Sequence, residues 1–144
     1  VTVGAALPDA SDAPLHMRKL FVEFKNHLGS REHEIVDELK PRPGEHVLRK
    51  TTIGAFASTN IDSLLRALGC EQLYLTGVST NMCVETTARE AADRGYGVTL
   101  VEDACATRDL PYKGGILSAE HVQQTEMAIM ADNFATLALT QDLI

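Results

Sequence analysis

The sequence has no tryptophan, only 5% aromatic residues, and three cysteines, none in CxxC spacing. So few thiols make neither a disulfide framework nor a four-ligand zinc site. Cys70, Cys83 and Cys105 therefore read as free thiols of a cytoplasmic protein. No cluster of lysine and arginine relieves a formal net charge of −7, which argues against nucleic acid and membrane as partners. No apolar run reaches the length of a bilayer crossing. An initial methionine is absent too: the chain opens on Val1-Thr2-Val3, as if entered partway along a strand.

What is present is enough for a core. A chain of 144 residues, 44% hydrophobic, fits a single domain spanning 1–144. Residues 5–14 (AALPDASDAP) are turn-rich and read as a surface loop. Leu20, Phe21, Phe24 and Leu28 recur at helical spacing over 15–28, with Gly29 as the stop. Pro41, Pro43 and Gly44 mark a turn before a short strand at 46–50 (HVLRK).

From residue 60 the pattern becomes regular. Ile61, Leu64, Leu65 and Leu68 share a helical face, with Asn60 as N-cap and Gly69 as C-terminal cap. A strand at 73–78 (LYLTGV) precedes a helix over about 81–94, closed by Gly95. A strand at 97–101, a loop at 102–117, a helix over 118–130 capped by Ser118 and a last strand at 134–139 complete the chain. Strands alternating with capped helices make βαβ units, and so an α/β, three-layer fold with a parallel sheet covered by helices on both faces. Ligands of such sheets sit beyond the carboxyl ends of the strands. Lys50, the 77–83 turn and Glu102–Asp103 all fall at that edge.

The stretch GVSTNMCVETTAREAADRG, residues 77–95, puts Cys83 on the first turn of a helix directly after a strand. Unsatisfied backbone N–H groups and the positive end of the helix dipole stabilise a thiolate there. The same N–H groups can bind the oxyanion formed when a thiolate attacks a carbonyl. The competing reading is a small hydrophobe packed where strand meets helix. Lys50 ends a strand and can serve as the cation of such a site or stand as an exposed strand-end lysine. Asp103 reads as structural, accepting backbone N–H bonds in its loop. Asn81 reads as a helix cap or a substrate contact. Glu85/Arg89 and Arg89/Asp93 read as charges on a solvated face.

The run LYLTGVSTNMCVETTAREAADRGYGVTLVEDACA resembles the core of the isochorismatase-like cysteine hydrolases. The likeness extends upstream through KTTIGAFASTNIDSLLRALG and downstream to the C-terminus. The resemblance implies a Cys–Asp–Lys triad in which Cys83 is the nucleophile and Lys50 the lysine. It further implies a non-proline cis peptide at Val78–Ser79 and an oxyanion hole formed by Ser79 and Cys83. Phe56 matches an aromatic position that lines the pocket, beside Asn81. The family's aspartate lies in an apolar run–Asp–x–Gln segment that these 144 residues do not contain, and Asp9 and Asp12 sit in a Pro/Ala/Ser loop instead. The resemblance thus makes Val1–Val3 the tail of a second strand. A first strand, a helix and most of that second strand, roughly 30 residues, are expected upstream.

His16, His27 and His33 lack ligand spacing, so no metal and no cofactor is expected. The implied activity is metal-independent cleavage of a C–N bond in a small amide or carbamoyl substrate by a homo-oligomer. Vinyl-ether hydrolysis of isochorismate and a non-catalytic assembly role are the alternatives.

Overall fold

The structure, a computed structural model, describes residues 1–25 and 27–144. The chain divides into two compact units, Val1–Ile61 and Asp62–Ile144.

In the first unit β1 (Thr2–Gly4) and β2 (Leu48–Lys50) run parallel, Thr2 opposite Leu48 and Gly4 opposite Lys50. Helix α1 spans Leu15–Glu23, shorter than its apolar spacing predicts. Lys25, at φ +52°, turns the chain out of the helix before Leu28 can continue the stripe. The face that packs is Met17 and Phe21, one turn apart, while Phe24 is exposed. Against that face lie Ala6, Ala10 and Ala13, from the loop expected at the surface. Methyl side chains let this loop lie close on the helix. Its polar backbone is satisfied locally, with Leu7 N–H bound to Asp12 Oδ1 and Ala10 N–H to the Leu7 carbonyl.

The second unit carries a parallel sheet of three strands in the order β3 (Gln72–Val78), β4 (Gly97–Ala106), β7 (Thr136–Ala138). Helix α3 (Glu85–Asp93) connects β3 to β4, and α4 (Ala119–Asn133) lies on the connection from β4 to β7. These are two βαβ crossovers. Residues 98–101 of the central strand (VTLV) are all buried. Because successive side chains point to opposite faces, this strand is buried on both at these positions, whereas edge strand β3 leaves Tyr74 and Val78 exposed. Leu100 on β4 and Met130 on α4 are both at 0% exposure.

Helix α2 (Ile61–Ala67) opens where the two units meet in sequence, and its first N–H is bound by the Thr59 hydroxyl (3.1 Å), one residue ahead of Asn60. None of its residues is fully buried. Gly69 and Gly95 close α2 and α3, the following N–H groups of Cys70 and Tyr96 reaching back to the carbonyls of Leu65 and Ala91. Ser118 caps α4 by accepting from His121 N–H. The predicted loop at 102–117 is mostly strand. β4 continues to Ala106, and β5 (Leu110–Tyr112) and β6 (Gly115–Leu117) form a hairpin. Lys113 and Gly114, both at positive φ, make its two-residue turn.

Candidate functional site

The second unit holds Ser79, Asn81 and Cys83 on one turn. Gly77, the last small residue of β3, has φ +133°, a conformation that penalises any side chain. The Val78–Ser79 peptide bond is cis. The chain then enters a π-helical turn, Thr80–Val84, that runs straight into α3. Its carbonyl anchor is Ser79, which accepts from both Met82 N–H (3.1 Å) and Val84 N–H (3.3 Å). Cys83 stands on this widened turn, half-buried, rather than in a regular α-helical first turn. π turns recur at functional sites. Residue periodicity could not reveal this one, because a single widened turn leaves the apolar spacing of the helix behind it unchanged.

The end of β4 runs beside the turn. Register slips between Leu75 and Gly77, after which Gly77 pairs with Cys105 and Val78 with Ala106. Two side-chain links then tie the turn down. The Thr107 hydroxyl donates to Asn81 Oδ1 (2.6 Å). The hydroxyl of Thr80, at 0% exposure, donates to Gln123 Oε1 (2.6 Å) on α4. Asn81 thus uses its side-chain carbonyl on Thr107, and no side-chain bond caps the helical start. Thr80, Thr107 and Gln123 were not singled out by sequence reasoning.

The other two thiols differ from Cys83 in setting. Cys105 Sγ lies 3.8 Å from the Leu75 carbonyl, and burial pushes its thiol above the ordinary range, favouring the neutral form. Cys70 follows the cap of α2. Asp103 Oδ1 accepts both the N–H (2.8 Å) and the hydroxyl (2.9 Å) of Thr140. The Thr140 N–H is the main cause that holds its carboxyl below the usual carboxylate value. Glu85 and Arg89 do pair, but not on a solvated face: the guanidinium is partly buried and stacks 4.2 Å over the Phe134 ring.

The first unit holds Lys50 and Phe56. Lys50 is at 5% exposure, and its ammonium donates to the carbonyls of Thr52 (2.9 Å) and Ile53 (2.6 Å). A buried cation needs such acceptors. They exist because the following loop folds tightly, with Ser58 Oγ accepting from Thr51 and Thr52 N–H. The Phe56 ring is buried in this same loop. Asp12 is engaged by Arg49 (2.7 Å) and Leu7 N–H, and Asp9 accepts from Ser11 N–H. Both acids stabilise their own loop. A cavity of about 580 Å³ in this unit, lined by Val3, Leu28, Ile35, Val47 and Arg49 among others, touches neither Lys50 nor Phe56. Among the described residues no three His, Cys, Asp or Glu side chains gather as a metal site, and no helix is long and apolar enough to cross a membrane.

A parallel α/β sheet with a cysteine on the helical turn beyond one of its strands defines the class of α/β proteins with a strand–turn–helix thiol. The model of the Isochorismatase domain matches residues 9–142, and the chain belongs to that family. The chain is 40% identical over 115 residues to a Verticillium dahliae protein named secreted isochorismatase effector Isc1, covering 80% of this chain and 58% of that one. It is 45% identical over 76 residues to the ureidoacrylate amidohydrolase RutB of Caulobacter segnis, covering 53% of this chain and 32% of that one. The crystal structure of a cysteine hydrolase from Pseudomonas syringae pv. phaseolicola superposes with a TM-score of 0.92 at 29% identity, covering 99% of this chain and 68% of that one. The fold is therefore the three-layer α/β architecture of this family. The match spans less than two thirds of the length of either curated relative.

Proposed function

We propose that the chain is a metal-independent cysteine hydrolase that cleaves the C–N bond of a small amide or carbamoyl compound through a thioester. The observation that carries this reading is the placement of Cys83 on the turn that opens α3 directly after β3. The amidohydrolase named above, similar over the stretch that matches it, supports the C–N choice. Cys83 Sγ attacks the carbonyl carbon, and the carbonyl oxygen takes the negative charge at the N–H groups of Ser79 and Cys83. Collapse of the adduct breaks the C–N bond, and the nitrogen leaves with the proton that the thiol gave up. Water then attacks the thioester, releasing the acid and restoring the thiol. The family resemblance gives Lys50 the role of the triad's cation, and Phe56 and Asn81 those of pocket residues. In the family an aspartate carries the proton, in a segment that these 144 residues do not match. The free state of all three cysteines supports a reducing, cytoplasmic setting, and self-association into a homo-oligomer completes the proposal.

The test is turnover of a panel of amides and N-carbamoyl compounds by the native protein and its Cys83→Ala variant. Loss of roughly 10³-fold or more in kcat/KM on the best substrate is expected. Full activity in the variant sinks the nucleophile assignment. A second reading, vinyl-ether hydrolysis of isochorismate, is favoured by the name of the Verticillium relative. It is adopted instead if the native protein and Cys83→Ala release pyruvate from isochorismate equally well.

A further inference from the structure

Thr80 opens the π turn three residues before Cys83, and its hydroxyl is wholly removed from solvent. A buried hydroxyl without a partner is costly, so the group that receives it fixes where this residue sits. That group is the Gln123 side-chain amide, which also faces the other way: Nε2 donates to the carbonyls of Cys105 (3.4 Å) and Glu102 (3.5 Å). Glu102 lies in the stretch of β4 where the register with β3 slips, and Cys105 is where pairing resumes, opposite Gly77. One amide thus ties together three elements: the turn that carries Cys83, the irregular end of β4, and α4.

Only an amide serves all of these bonds. Its oxygen must accept from a hydroxyl while its nitrogen donates to carbonyls. A carboxylate would keep the first and repel the second, and a methionine of similar length would keep the packing and lose both. The apolar face of α4, Val122, Met127 and Met130, is buried and holds the helix in place without Gln123. The amide is therefore not required for docking α4, which separates its role from general packing.

We infer that Gln123 is a positioning residue that sets the reactivity of the Cys83 thiol by clamping Thr80 against the end of β4. This rests on the proposed nucleophilic role of Cys83. The clamp acts on the orientation of the turn's N–H groups around the sulfur, and misplacement of about 1 Å in such an arrangement costs up to about 10²-fold in rate.

The experiment measures iodoacetamide alkylation of each cysteine by peptide mass spectrometry across neutral to alkaline pH. It compares the native protein with Gln123→Met, Gln123→Glu, Thr80→Val and Thr80→Ser. Cys70, beyond the cap of α2, is the internal reference for general loosening. The clamp predicts Cys83 alkylation slowed on the order of tenfold in Gln123→Met and Thr80→Val. It further predicts rescue in Thr80→Ser, which keeps the hydroxyl, an unchanged Cys70 rate, and no added loss in the Gln123→Met/Thr80→Val double variant. An unchanged Cys83 profile in both single variants overturns it, as does a change matched at Cys70. The native protein alone judges the nucleophile: Cys83 no faster than free cysteine counts against the hydrolase reading. The variant-to-native ratio judges the clamp in either case.

Discussion

Gly97 pairs with Gln72 across β3 and β4, and the missing side chain at this position is filled by its partner. A Cβ built on Gly97 would stand 2.0 Å from Gln72 Oε1 and 3.0 Å from its Cδ. Gln72 lies across the glycine and reaches diagonally to Thr99, its Nε2 donating to the Thr99 hydroxyl (2.9 Å). In Gly97→Ala the amide must swing out, and the bond to Thr99 goes with it. Thr99 is only 7% exposed, so its hydroxyl loses its partner in a largely dry position. That loss is about 1–3 kcal/mol. Against it stands about 0.4–1 kcal/mol from the stiffer unfolded chain, because φ at Gly97 lies outside the left-handed region and alanine fits the backbone. The net expectation is destabilisation of about 1 kcal/mol, read as a lower urea midpoint at unchanged slope. Gln72→Ala supplies the decisive background. With no amide to displace, Gly97→Ala should become neutral or stabilising by about 0.5 kcal/mol. An equal cost of Gly97→Ala in both backgrounds would refute the reasoning and put the penalty in the backbone.

Two more outcomes follow from the second unit. Leu100→Ala empties a fully buried site on the central strand and should cost about 3–5 kcal/mol by urea unfolding, where a cost below about 1 kcal/mol would mean the site is not packed as described. Asp103 has a depressed carboxyl, so its contribution is present above the unfolded value near 3.9 and is lost as pH falls through the folded value. Asp103→Asn should therefore melt below the native protein at neutral pH, with the gap closing in acid; a gap that does not change with pH counts against the Thr140 bonds as its source.

The sequence by itself determined the element types wherever period and punctuation agreed. From residue 60 onward, apolar spacing, Ser118 as a cap and Gly69 and Gly95 as stops mark helices that the structure contains, because these signals act through local backbone chemistry. The stretch at 97–101 (GVTLV) likewise reads as a strand, and the structure has one that runs on to Ala106. The same physics located the turn at 77–83, where a glycine between a strand and a helix leaves few alternatives. Tertiary structure decided what local signals do not encode. It ended α1 early, because the residues with a partner to bury against are Met17 and Phe21, and the alanines of the preceding loop came inward to meet them. It drew Arg89 off the solvated face onto Phe134, since a flat guanidinium can be partly buried on a ring. It chose Gln123 to receive the Thr80 hydroxyl across 43 residues of sequence, a pairing that follows from which groups the folded chain buries together and from no periodicity.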